Sequence, residues 1–184
     1  MIRAGLIHMT QKGYATISVE AVAAAANLTK GSFYHHFTSK ADFGIELIRS
    51  YGAYFQRRLS RFLDRDDLSP LDCLMAFTQD ARISMARHEY RRGCLIGNLS
   101  QEVGSLPSAF RDLLEQELGV WETMTARCLN TAKQRGEIHE PLDPEILAHH
   151  FWTGWEGAVM RAKLQRSGTP LSDFADSFLT LITR

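Results

Sequence analysis

Apolar residues recur along this chain at spacings of three and four, the period of an amphipathic helix, and no stretch alternates as a strand would. Residues 2–12 read as a first helix, with Ala4, Leu6 and Ile7 toward a packing surface and Gly13 as terminator. Phe43, Leu47, Tyr51, Phe55, Leu59 and Phe62 predict a long helix opened by a Ser39 cap, with Asp42 near its positive end. The acidic run Asp64 to Asp67 breaks that stripe, and Ser69-Pro70 opens another helix through Leu71, Leu74, Phe77 and Met85. Cys94 heads a short apolar segment, Leu95, Ile96 and Leu99. A later helix carries Phe110, Leu114, Trp121, Met124, Cys128 and Ala132 and ends near Gly136. Leu147, Phe151, Trp155 and Val159 fall four apart, and Phe174, Phe178 and Ile182 complete a final helix. The fold class is therefore all-α, with nine helices. A three-helix module, residues 1–38, precedes a helical body, residues 39–184.

Everything else is arranged around Ser18 to Lys40, SVEAVAAAANLTKGSFYHHFTSK. Ser18 can cap one short helix through Val19, Val22, Ala23 and Ala26, and Thr29 can cap a second carrying Lys30 to His35. Asn27 suits the left-handed turn between them. Leu28 and Phe33 are candidate plugs. Such a compact pair can lay its second helix in a DNA major groove; a plain helical hairpin would leave its small, basic and hydroxyl-bearing residues without a purpose. The DNA-contact set is Thr29, Lys30, Gly31, Ser32, Tyr34, His35 and Lys40. Lys30 and Lys40 can neutralise phosphates, and Ser32 and His35 are the base-edge candidates. Gly31 permits close approach.

The same residues carry a resemblance. Thr16 to Phe43, TISVEAVAAAANLTKGSFYHHFTSKADF, resembles the TetR family of transcriptional repressors. Arg91 to Val103 and Gly154 to Phe174 resemble its branch of electrophile-responsive and acrylate-responsive regulators. The resemblance covers nearly the whole chain. It implies a cytoplasmic homodimer, operator contact through the second helix of the pair, phosphate roles for Tyr34 and Lys40, and a small-molecule effector. Met1 stands almost directly before helical sequence, so an N-terminal arm of the kind common in the family is short or missing here.

Net charge is zero, which alone says nothing about nucleic acid. Its distribution says more. Residues 1–60 hold seven Lys or Arg against three Asp or Glu, so the positive end coincides with the helix pair. Three widely spaced cysteines suit a reducing compartment better than a disulfide framework. No run is long and apolar enough to cross a membrane. No catalytic constellation, metal motif or cofactor loop is visible. His149 and His150 are neighbours that diverge by about 100° on a helix, and Glu156 is a lone acid.

Cys94 follows Arg91 and Arg92 at a helix start, features that stabilise a thiolate. An inert cysteine packed with Leu95 and Leu99 is the competing reading. The branch resemblance favours a sensor, and Cys73 and Cys128 read as packing residues. Met75, Phe77, Trp121, Trp155 and Glu156 are possible effector-pocket residues. Gly154, Gly157 and Ala158 permit close helix approach, which favours the last two helices as a dimer seam centred on Phe151, Trp155, Val159, Phe174 and Phe178. The expected function is a ligand- or redox-responsive repressor that releases palindromic operator DNA on sensing acrylate or another electrophile, an oxidant or an unsaturated acid. The alternatives are a purely noncovalent small-acid pocket and a helical interaction protein that ignores DNA.

Overall fold

The computed structural model describes residues 1–183. Among them run nine α-helices: α1 (Ile2–Lys12), α2 (Val19–Ala25), α3 (Lys30–His36), α4 (Lys40–Leu63), α5 (Pro70–Ala86), α6 (Leu95–Glu102), α7 (Ser108–Gln134), α8 (Pro144–Gln165) and α9 (Thr169–Ile182). A 3-10 turn at Val103–Ser105 follows α6, and the described residues contain no strand.

The caps are local and chemical. Ser18, Thr29, Ser39 and Ser69 each accept a hydrogen bond from the backbone N–H three residues on. Asp42 returns the favour at the start of α4 by accepting from the Thr38 N–H at 2.8 Å. Asp143 accepts from the N–H groups of Glu145 and Ile146, and Pro144 fills the first turn of α8, where a missing N–H costs nothing. Gly13 ends α1 at φ 78°, and Asn27 takes the left-handed turn at φ 56°.

The helices condense into two compact units. The first holds Met1–Tyr54 and Arg92–Glu117. Its core includes Met9, Ile17, Val22, Phe33, Phe43, Leu47, Leu95, Leu99 and Phe110. The buried side of α1 is Gly5, Met9 and Thr10 rather than Leu6 and Ile7, and Ile7 is exposed. Gly5 decides this orientation. A Cβ there would come within 2.6 Å of the Phe43 ring and 2.8 Å of Leu47, so α1 seats its smallest residue against α4. Leu28 is not a plug: the turn through Asn27 leaves it 41% exposed, whereas Phe33 is fully buried.

The second unit holds Phe55–Arg91 and the residues from Leu118 onward. Its centre is aromatic. Phe55 lies 4.2 Å from Trp121, Trp121 5.1 Å from Trp152, and Phe77 5.9 Å from Trp152 and 6.0 Å from Trp155, measured between ring centroids. The Trp152 indole N–H donates to the buried Thr125 hydroxyl at 3.0 Å, which satisfies the one polar atom of that ring. α9 packs against α8 and α5. Gly154 makes that approach possible, because a Cβ there would overlap the Phe174 ring. Phe151, Trp155, Val159 and Phe178 are consequently buried inside a single protomer, and Phe174 is half-buried beside them. In the single chain these side chains, expected at the centre of a seam between copies, pack against α9 and the aromatic centre. The outward face of α8 and α9 carries Ile146, Met160, Leu164 and Leu181 instead, and Gly157 there meets open space.

Candidate nucleic-acid interface and effector body

α2 and α3 form the compact pair that the alanines and the two caps predict. Val19, Val22 and Ala23 bury the inner side of α2. Phe33 is the only buried residue of α3; its ring lies 5.1 Å from Phe43 and 5.2 Å from Phe37. Because successive helical residues rotate by about 100°, anchoring Phe33 turns Gly31 and His35 to the far side and Tyr34 about a quarter turn away; these three and Lys30, at the helix start, are exposed. Tyr34 is 50% exposed, its ring edge-on to Phe33 at 5.3 Å. A Cβ on Gly31 would meet nothing nearer than the Thr29 hydroxyl at 3.6 Å, so packing within the chain does not require glycine there.

Four of the polar members, Thr29, Lys30, Ser32 and Lys40, are already engaged. Thr29 Oγ1 lies 3.0 Å from Ser32 Oγ and accepts from the Ser32 N–H, which holds the Ser32 hydroxyl near the helix start. Lys40 Nζ donates to the Ala15 carbonyl at 3.3 Å and sits 4.6 Å from the centre of the Tyr14 ring. Burial pushes the Tyr14 phenol above its usual range, so the ring stays neutral beneath that cation. Lys30 Nζ meets Glu20 Oε1 at 2.6 Å, and the Ser18 hydroxyl donates to the other carboxylate oxygen at 3.0 Å. Sequence reading missed Glu20. It stands ten positions before Lys30 on a separate helix, where no helical spacing pairs the two.

The family model for bacterial regulatory proteins of the tetR type matches residues 2–47, and that for the tetracyclin repressor-like C-terminal domain matches residues 70–178. The chain belongs to the TetR family. It is 49% identical to the transcriptional regulator AcuR of Cereibacter sphaeroides over 97% of its own length and 81% of that protein's. It is 31% identical to the transcriptional repressor DhaR of Mycobacterium sp. strain GP1 over 99% and 88%. Among solved structures, a regulatory protein TetR from Rhodobacter sphaeroides superposes with a TM-score of 0.96 at 47% identity, covering 98% of this chain and 96% of that one. The reduced form of Escherichia coli NemR shares the fold, with a TM-score of 0.88 at 24% identity over 98% and 94%. A TetR-family chain of this kind is a transcriptional regulator, not an enzyme. None of its described helices is long and apolar enough to cross a membrane.

The regulator's sixth helix is tied to its first. The Gly93 N–H and the Asn98 side-chain amide both donate to the Thr10 carbonyl, at 3.4 and 3.2 Å, and Arg92 Nε donates to the Thr10 hydroxyl at 3.1 Å. At the other end of α6, Glu102 accepts from the Tyr14 N–H at 3.2 Å. Cys94 occupies the N-cap position of α6, buried to 8% exposure. Of the two preceding arginines, Arg91 pairs with Glu89 at 3.0 Å, and Arg92 donates to the Thr10 hydroxyl. The other two cysteines are kept as thiols. Burial pushes Cys128 up to about 12, and its S–H faces the Pro70 carbonyl at 3.2 Å; burial also raises Cys73.

Of the possible pocket residues, Phe77, Trp121 and Trp155 come together through Phe55 and Trp152 in the aromatic centre, all buried. Met75 stands apart. It lines a cleft of about 240 Å³ with Thr78, Arg82, Leu171 and Asp176. Glu156 is part-buried on α8 beside Trp155. His149 and His150 diverge as helix geometry requires: one bonds Glu122 at 2.9 Å, and the other stacks on Phe178.

Proposed function

We propose that this chain is a homodimeric repressor that sets the α3 helices of two copies in successive major grooves of a palindromic operator. It lets go when the body senses a small electrophile, an oxidant or an unsaturated acid. The observation that carries this reading is the exposed row Lys30, Gly31, Tyr34 and His35 over an anchored Phe33, inside the segment matched by the family's N-terminal model. Labour divides between residues 1–38, which with Lys40 just beyond them bind DNA, and residues 39–184, which otherwise bind effector and partner. Lys40 and Tyr34 position the protein on phosphates, while Ser32 and His35 read base edges. Binding of folded variants to selected operator and scrambled duplexes tests this map. Tyr34→Phe and Lys40→Gln are expected to weaken both duplexes together, and Ser32→Ala and His35→Ala to change the preference between them. Unchanged affinity in all four rejects the map.

The dimer joins α8 and α9 of each copy through the outward face of Ile146, Gly157, Met160, Leu164 and Leu181. Large apolar side chains left exposed on one helix pair favour burial against a second copy.

For the signal, the branch resemblance of Arg91 to Val103 puts acrylate and related unsaturated carbonyl compounds first. The Cys94 thiolate would attack the β-carbon, forming an S–C bond as the π electrons move to the carbonyl, and water would then protonate the α-carbon. A peroxide or reactive chlorine species would instead take the sulfur to a sulfenic acid. The ties from Arg92, Gly93 and Asn98 to Thr10 support coupling from that sulfur to α1. A noncovalent acid pocket is the second reading, favoured by the burial of Cys94. Operator release by wild type and Cys94→Ser after electrophile, oxidant or acrylate treatment separates the two, with intact-protein mass measured alongside. A response lost only in C94S, with a wild-type adduct, supports the thiol. An equal response without an adduct supports the pocket.

A further inference from the structure

From the carboxylate clamp on Lys30 we infer that Glu20 is an electrostatic brake on DNA binding, withholding Lys30 from backbone phosphates. This rests on the reading of α3 as the DNA-facing helix. Three observations lead there. Lys30 is the first residue of α3, on the same exposed side as Tyr34 and one position before Gly31, whose missing side chain leaves the surface open to an approaching backbone. Its ammonium is held at 2.6 Å by a carboxylate from the neighbouring helix. That carboxylate also accepts from the Ser18 hydroxyl at its second oxygen, a contact that favours the orientation facing Lys30.

The physics then runs in one direction. A lysine contributes to DNA affinity by neutralising a phosphate and releasing a condensed counterion. A lysine already neutralised by Glu20 releases less, and the carboxylate adds a like charge near the phosphates. Docking has to exchange one anion for another. Glu20 stays ionised at every pH suited to DNA binding, because the hydrogen bond from Lys30, foremost, and the Ser18 hydroxyl hold its carboxyl near 2. A brake of this kind acts mainly on contacts that carry no sequence information, so it trims non-specific binding more than operator recognition.

The test is a salt series of fluorescence anisotropy on the full chain with a mixed-sequence duplex, using wild type, Glu20→Gln, Lys30→Gln and the double variant. Circular dichroism confirms that each variant is folded. E20Q is expected to bind more tightly at low salt. Its advantage should shrink by about threefold per protomer for each fourfold rise in salt, the signature of about one extra phosphate contact. In the Lys30→Gln background the same Glu20 substitution should change the salt slope little, since no lysine remains to be freed. An E20Q protein that binds more weakly than wild type would make Glu20 a positioning residue for Lys30 and overturn the brake. An unchanged slope would reduce the pair to a solvated surface contact. An equal gain with and without Lys30 would leave only through-space repulsion. If wild type binds no duplex at all, the functional reading of α3 falls, and the brake with it.

Discussion

Phe33 and Tyr34 are adjacent in sequence and opposite in consequence. Phe33 is fully buried among Phe37 and Phe43, whereas Tyr34 stands half in solvent. Phe33→Ala is expected to cost about 3–5 kcal/mol, the usual toll of emptying a core aromatic site, and to abolish DNA binding through loss of the module. Tyr34→Phe should stay within about 0.5 kcal/mol of wild type in stability while weakening duplex binding. Thermal denaturation beside anisotropy checks both, and a marginal effect from Phe33→Ala would contradict the packing described. The Glu20–Lys30 pair makes a pH prediction with a definite sign. The folded Glu20 carboxyl is lowered from 4.5 to about 2, so its stabilisation is complete above pH 4.5 and is lost as pH falls toward 2. Carboxyl-carbon NMR should place its midpoint near 2. Lys30→Gln should move the midpoint up toward 4.5, stopping short because the Ser18 hydroxyl and a backbone donor remain.

Between elements, the connection that matters is α1 to α6. Gly13 stands at φ 78°, and a Cβ there would also overlap the Glu102 carboxylate that accepts from the Tyr14 N–H. Gly13→Ala therefore meets two penalties, an unfavourable backbone and a clash, and should destabilise by more than about 1 kcal/mol. Adding Glu102→Ala should recover the steric part only, leaving the backbone part. Denaturant unfolding of the two single variants and the double variant measures this, and simple additivity would show that Glu102 does not press on the site. The same ties place Cys94, directly before the first turn of α6, beside residues bonded to Thr10.

At the scale of the whole molecule, the prediction concerns assembly. Leu164 is 77% exposed and Met160 and Leu181 are exposed with it, whereas Phe151 is buried within its own protomer. Leu164→Asp is expected to turn a dimer into a monomer by light scattering without changing the helical circular dichroism. Phe151→Ala should instead lower stability by about 3–5 kcal/mol. A Leu164→Asp protein that remains dimeric would move the interface elsewhere.

Helix positions, caps and turns were legible because their causes are local. A hydroxyl three residues before the N–H it accepts from, a glycine or asparagine with φ above zero, and apolar residues three and four apart all act within one or two turns. The α2–α3 pair was legible for the same reason, and with it the exposed row on α3. The side of α8 that turns inward was not. That helix carries apolar residues on two faces, Leu147, Phe151, Trp155 and Val159 on one, Ile146, Met160 and Leu164 on the other. Periodicity alone cannot rank two apolar stripes. Gly154 ranks them, because only there can the Phe174 ring of α9 come close enough to bury the first stripe. Thr10 likewise finds Arg92 and Asn98 across separations of 82 and 88 residues, and Lys30 finds a carboxylate on another helix. Those pairings follow from how the helices pack, and packing is decided by the shapes of all the side chains together.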